Sequence, residues 1–289
     1  MAVVVLAGGA LYWLHGRSGE TRRAIASAPV SEPGTAAAPE KAKEGPETAK
    51  AADHAARTEA NKAAATADAG IALRTGEVLE FTADVAKVSN VANLRLQVAE
   101  RRNFLGKSAW HLQAFAHTQS PLRMVFELDD QFDSYSDVGT LASLQYEMHL
   151  SERGQKVDSK QRMTTTGKEP ASDDTSQTRV LPGTRDPLGL MQYLRYVDWS
   201  KTREVHGPVY DGHKLYEVRA TLAGASENVT VPAGTYVASK IEIRVFDEGT
   251  EMKDAHFAVY FAHNATHTPV LLEAVMPWTT ARVGLKSSR

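Results

Sequence analysis

Ser226–Val245 reads "SENVTVPAGTYVASKIEIRV". Two strand-like runs, Leu222 to Val231 and Gly234 to Val245, flank the stretch Val231-Pro232-Ala233-Gly234. Pro232 suits the second position of a turn because its ring fixes φ, and Gly234 suits a position that needs φ > 0. The two runs are therefore predicted to be adjacent strands of a hairpin, with turn residues that are structural rather than catalytic.

Outward from this hairpin the same period of two recurs. "VLEFTADV" sets Leu79, Phe81, Ala83 and Val85 against Glu80, Thr82 and Asp84. "NLRLQV" sets Leu94, Leu96 and Val98 against Arg95 and Gln97, and "WHLQAFAH" sets Trp110, Leu112, Ala114 and Ala116 against His111, Gln113 and His117. "RMVFEL" reads as a strand through Met124, Phe126 and Leu128, and "SLQYEMHL" as one through Leu144, Tyr146, Met148 and Leu150. Tyr216 to Leu222, Ile241 to Val245, "HFAVYF" and "VLLEAVM" follow the same rule. Parallel strands are buried on both faces, so clean alternation points to antiparallel pairing. About ten such strands, from about Leu73 onward, must bury one continuous apolar face by curling or by splitting into a sandwich. Long successive strands favour the curl. The expected fold is mostly β: a curled antiparallel sheet forming a barrel or half-barrel of about ten strands, with one apolar helix against its concave face.

That helix is the segment "RDPLGLMQYLRYVDW". Asp186 sits at an N-cap and Pro187 at the first helical position. Leu188, Leu190, Met191, Tyr193, Leu194, Tyr196, Val197 and Trp199 leave only the narrow stripe Gln192, Arg195 and Asp198 polar. A helix apolar over most of its circumference is buried on most sides. It is expected to lie in or across the concave face, with an ordinary capping helix as the alternative.

The N-terminal part differs in kind. "AVVVLAGGALYWL" (Ala2–Leu14) is an uncharged apolar run followed by Arg17, Arg22 and Arg23. As a helix it would span roughly 20 Å, short of the ~30 Å hydrocarbon core. No basic region precedes it as in a signal peptide, and arginines separate it from the nearest small-residue cleavage site, Ala24-Ile25-Ala26. It is expected to be a truncated membrane segment, residues 1–15, with a buried helix as the alternative. Residues 16–72 are Ala, Pro, Glu, Lys, Thr and Gly almost without large apolar side chains. Such a segment cannot bury enough surface to offset ordering entropy and is expected to be a disordered linker. As a flexible coil it would span about 40 Å. The folded domain is expected over 73–289.

Composition excludes several functions. A formal net charge of -2 over 289 residues gives no electrostatic case for nucleic acid. The chain has no cysteine, which removes disulfides, thiolate metal sites, thiol nucleophiles and a lipid-modified cysteine anchor. His263 and His267 are four apart, but Asn264 and Pro269 make that stretch a turn, so helical facing fails. His111 and His117 share a strand face at a separation too long for one ion unless other strands contribute. The carboxylates of "ELDDQFDSYSD" (Glu127–Asp137) miss the calcium-loop spacing and read as a solvated turn. No Gly-x-Ser-x-Gly elbow is present. Neither a metal site, a cofactor nor a catalytic residue is expected.

"GEVLEF", "DPLGLMQYLR", "YDGHKLYEV", "ENVTVPAGTY" followed by "KIEI", and "HTPVLLEAV" occur in that order. Together they resemble the bacterial envelope family known as domain of unknown function 3108, over about Leu73 to Leu285. The resemblance implies a curled β domain exported to the periplasm, often behind an N-terminal membrane segment and a Pro/Ala-rich spacer. It also implies a shape similar to lipoprotein carriers, which hold lipid in a half-barrel closed by a helix. It carries over no catalytic residue, and "VYFAHNATHTP" departs from the family pattern of a Trp-containing strand and an Asp turn.

Three readings of function follow. One is a binding module held at the bacterial inner membrane with its domain in the periplasm, taking a lipid or other apolar ligand under a Leu188–Trp199 lid. Its lining would be Phe81, Trp110, Phe126, Tyr146, Leu188, Met191, Leu194, Trp199 and Phe257, which are equally the expected core. The second is an envelope interaction protein with a packed core and a protein partner. The third, an enzyme, has no supporting constellation.

Overall fold

The computed structural model describes residues 73–165, 175–253, 256–277 and 279–289. The expected membrane segment and linker lie outside these residues.

The described chain builds one large sheet. In its first half run β1 (Val78–Val85), β2 (Val88–Phe104), β3 (Lys107–Thr118), β4 (Asp129–Asp137), β5 (Ser143–Glu152), β6 (Gln155–Thr164) and β7 (Ser176–Arg179). The helix α1 (Pro187–Tyr196) follows, then β8 (Glu204–Tyr210), β9 (Leu215–Val231), β10 (Gly234–Asp247), the two-residue β11 (Thr250–Glu251), β12 (His256–Ala262), β13 (Pro269–Met276) and β14 (Thr279–Ser288). The hydrogen-bonded order is β7-β6-β5-β4-β3-β2-β1-β14-β13-β12-β10-β9-β8, with β11 on β10. Pairing is antiparallel throughout except between β6 and β7. Tight hairpins make this order cheap to form. At Leu105-Gly106 and Arg153-Gly154 both turn residues have positive φ, the geometry whose twist matches flanking strands.

Among the described residues the mostly-β class, the curl and the single α-helix agree with expectation. The strand number is higher than about ten, and the sheet does not close into a barrel. Its two ends, β7 and β8, form no ladder with each other among the described residues. The chain between β7 and α1 straps the gap instead. Ser143 N–H donates to Thr184 O at 2.9 Å, Arg185 N–H to Pro208 O at 3.1 Å, and Tyr210 N–H to Arg185 O at 2.9 Å.

Two local readings are corrected. "RMVFEL" is not a strand: Leu122–Met124 forms a 3₁₀ turn and Met124 is 84% exposed. Of its alternating apolar set only Leu128 is buried, where it bridges Glu152 at the end of β5. Conversely, Glu127–Asp137 is not a solvated turn. It contains β4, with Asp130, Phe132, Ser134 and Ser136 buried. Those inward polar residues are stabilised by contacts that only the tertiary structure supplies.

The Pro232-Ala233 turn has a larger role than joining two strands. Register shifts at Ala238–Ile241 bend the β9–β10 hairpin, and its tip crosses the outer side of β14. A Cβ on Gly284 would stand 3.2 Å from Pro232 Cδ and 3.3 Å from Val231 Cγ1, so glycine permits the close approach. Ala233 N–H donates to Leu285 O at 2.9 Å, beside the register shift between β1 and β14 at Glu80–Phe81. Burial of Val229, Val231, Tyr260, Ala262 and Leu271 accompanies this cover. It explains why β12, read as one-faced, is buried on both faces.

Candidate functional site

The concave side of the sheet is where a ligand would sit, and α1 lies across it. Each end of α1 is fixed by buried polar groups. At the N-terminus, Asp186 Oδ1 accepts from Leu188 N–H at 2.8 Å and Gly189 N–H at 2.9 Å, a side-chain N-cap. Its Oδ2 accepts from Ser134 Oγ at 2.5 Å and also from Ser143 Oγ. Ser134 and Ser143 project from β4 and from the start of β5, so the cap is bolted to the sheet wall. Burial pushes the Asp186 carboxyl up, against these four hydrogen bonds, which favour its charged form. Gly189 sits so close to Leu141 O and Ser136 Oγ, at 2.9 and 3.0 Å from an imagined Cβ, that no side chain fits there.

At the other end Arg195 is 1% exposed. Its guanidinium donates to both Glu77 oxygens, at 2.6 and 2.8 Å. It also donates to Gln192 Oε1 and to the main-chain oxygen of Thr266. Glu77 directly precedes β1, and Thr266 belongs to the turn after β12. The polar stripe Gln192–Arg195 therefore faces a buried carboxylate rather than solvent. His267 Nδ1 lies 3.1 Å from Arg195 O, and Trp199 Nε1 donates to Leu194 O at 2.9 Å.

The residues expected to line a ligand are placed by this arrangement. Phe81 is 1% exposed, Tyr146 2%, Met191 3% and Leu194 0%. Trp110, Leu188 and Phe257 are buried as well, and all of these belong to one continuous core cluster. Phe126 and Trp199 are half-buried against it. Phe126 lies apart, under the Arg153 guanidinium, 4.8 Å from its ring centre. Trp110 Nε1 is buried without a hydrogen-bond partner.

The convex side carries a ladder of polar side chains in register across β2 to β6: Gln97, Gln113, Asp133, Glu147 and Lys160. Asp133 is its centre. His111 Nε2, Gln113 Nε2 and Gln131 Nε2 each lie 2.7 Å from its carboxylate. Burial pushes the Asp133 carboxyl up, but those hydrogen bonds outweigh it and hold the group below its ordinary value. His111 thus pairs with a carboxylate, not with His117. His117 instead lies beside Asn93 at 3.4 Å. On the other flank an open depression of about 170 Å³ is lined by Lys240, Glu242, Arg244, His256 and Glu273 among others.

At the rim of the concave face stands a carboxyl pair that the sequence reading passed over. Asp130 is 3% exposed; one oxygen accepts from Ser151 N–H at 3.0 Å and the other, Oδ2, has no partner. Burial, with Glu152 and Asp129 nearby, pushes Asp130 up to about 7. Burial raises Glu152 also. The signal for the buried set Asp130, Ser134, Ser143 and Glu77 was thin. Period-two spacing relates Asp130, Phe132, Ser134 and Ser136, but polar residues at core positions read as a turn.

Comparison with known proteins agrees with the ordered motifs. A family model described as "Protein of unknown function (DUF3108)" matches residues 80–286. No curated protein matches. Among solved structures, a β-barrel-like protein of domain of unknown function DUF1849 from Brucella abortus is similar. It shows 10% identity and a TM-score of 0.47, covering 73% of this chain and 96% of its own. A candidate lipoprotein from Parabacteroides distasonis shows 12% identity and a TM-score of 0.36, covering 75% and 96%. A candidate exported protein with a YmcC-like fold from Bacteroides fragilis shows 9% identity and a TM-score of 0.32, covering 75% and 96%. The chain belongs to the DUF3108 family.

Proposed function

We propose that this member of the DUF3108 family is a membrane-tethered module of the bacterial envelope that works through its outer surfaces, its interior closed by its own helix. The observation that carries the reading is the double fixing of α1. Asp186 is locked to Ser134 and Ser143, and Arg195 to Glu77, with all five groups buried. A lid that opens for an acyl chain would have to expose or strand a buried ion pair, and breaking such a pair costs about 3–5 kcal/mol. The tether reading rests on the apolar run Ala2–Leu14 and the Pro/Ala-rich stretch after it. No metal, cofactor or catalytic group enters this proposal.

A carrier reading is favoured by one observation, the buried Trp110 Nε1 without a partner, a donor on the concave wall that a lipid headgroup could use. Native mass spectrometry with solvent extraction, on residues 73–289 produced in the periplasm without detergent, separates the two. The expected result is the bare protein mass. A stoichiometric co-purifying lipid refutes the closed interior and supports carriage. In-cell crosslinking of the full chain that recovers no reproducible protein partner counts against the docking role.

A further inference from the structure

We propose that the apolar knuckle Pro121–Phe126, on the loop between β3 and β4, docks on the surface of the lipid bilayer to which the chain is tethered. This rests on the tether reading above. Met124 and Val125 are 84% and 74% exposed. They are consecutive, and they are not loosely held. Val125 N–H and Phe126 N–H both donate to Leu122 O, at 3.0 and 2.8 Å, and Arg123 N–H donates to Gln119 O at 2.8 Å. The Arg123 side chain spans both oxygens of Asp129, at 3.0 and 2.7 Å, and reaches Glu127 at 2.7 Å. Gln119 N–H anchors the loop to Val91 O at 2.7 Å. The fold thus presents two consecutive, strongly exposed apolar side chains to solvent on a braced support.

Shape argues for lipid over protein. A stable protein partner needs about 800 Å² from each side, whereas this knuckle is narrow and convex, flanked by charged Glu127, Asp129 and Arg153. A deformable surface accepts such a protrusion. Exposed Val88 and Lys87, in and beside the β1–β2 turn, lie at the same end of the sheet. Geometry permits the contact. The described chain begins near Leu73, where Gly76 N–H bonds Val98 O, and the knuckle lies at the opposite end of β1. An eight-residue strand covers about 25 Å. The coil expected of residues 16–72 from their composition would span about 40 Å, enough to bring the far end down to the same bilayer. A tethered domain also needs little intrinsic affinity, because the tether supplies a high local concentration of lipid.

The absence of cysteine makes the test direct. The full chain carrying Met124→Cys, labelled with an environment-sensitive fluorophore, is reconstituted in phosphatidylethanolamine–phosphatidylglycerol vesicles. Leu105→Cys, 51% exposed in the β2–β3 turn at the other end, is the control. The expected result is blue-shifted emission, quenched by nitroxide-bearing lipid, at position 124 and water-like emission at position 105. Adding Val125→Asp should remove the shift at 124. A chain that floats with the vesicles but keeps water-like emission at 124 overturns the docking alone. A chain that does not float overturns both docking and tether. Crosslinking in cells from position 124 to a protein, with no lipid quenching, overturns the choice of lipid.

Discussion

Replacing Asp130 by Asn should change how the protein's stability depends on pH. Asp130 is 3% exposed, with one oxygen on Ser151 N–H and the other unpartnered. Burial raises its carboxyl from the ordinary 3.8 to about 7. Folding therefore favours the protonated form. The stability this proton confers is fully present below about pH 4 and drains as pH rises through about 7. At 1.36 kcal/mol per unit, the full shift corresponds to about 4 kcal/mol lost between pH 4 and pH 8; water reaching the rim would lower that to about 2 kcal/mol. Asn keeps an acceptor for Ser151 and stays neutral throughout. Urea unfolding of wild type and Asp130→Asn at several pH values isolates Asp130 and the carboxyls coupled to it, Glu152 and Asp129, because all the others cancel in the difference. The two curves should lie closest near pH 4, with the variant gaining about 2–4 kcal/mol on wild type by pH 8. Parallel curves across that range would refute the assignment of a neutral, buried Asp130.

The clamps and the hairpin tip lend themselves to similar tests. Arg195→Met should destabilise by about 3–5 kcal/mol by stranding Glu77, while Arg195→Met with Glu77→Leu should recover most of that loss in urea unfolding. Asp186→Ala removes an N-cap and leaves Ser134 and Ser143 without their acceptor. A loss of about 2 kcal/mol or more is expected, and Asp186→Asn should lose less. Gly284→Val would push against Pro232 and Val231 and should cost about 1–3 kcal/mol. Hydrogen exchange should then show the Ala233 amide, which bonds Leu285 O, opening ahead of the strands beneath it.

Where one face of a strand is buried and the other solvated, the sequence is easy to read. β1 and β3 alternate because their outer side chains stay part-exposed, and β5 keeps the alternation in sequence although its outer Gln145 and Glu147 are buried among polar neighbours. β14 also alternates through Ala281, Val283 and Leu285, although the hairpin tip covers its outward Gly284. β6, "QKVDSKQRMT", does not advertise itself, because near the edge of a curl its inward residues meet few apolar neighbours. β4 misleads for a different reason. Ser134 and Ser136 point into the core, where Ser134 meets Asp186, fifty-two residues along the chain. Met124 misleads in the opposite sense, an apolar side chain in strand-like spacing that projects into solvent.

Period-two patterning, turn chemistry at Pro232-Ala233-Gly234 and the Asp186-Pro187 cap are local. They determined antiparallel strands, the β9–β10 hairpin and the start of α1 without knowledge of any partner. Whether the curl closed, and what filled it, depended on groups far apart in sequence. Arg195 meets Glu77 across 118 positions, the Val231-Pro232 tip meets Gly284 on another strand, and Arg185 bridges the seam to β8. Each such contact is decided by three-dimensional proximity, and a polar residue in a one-dimensional pattern looks the same whether water or a buried partner awaits it.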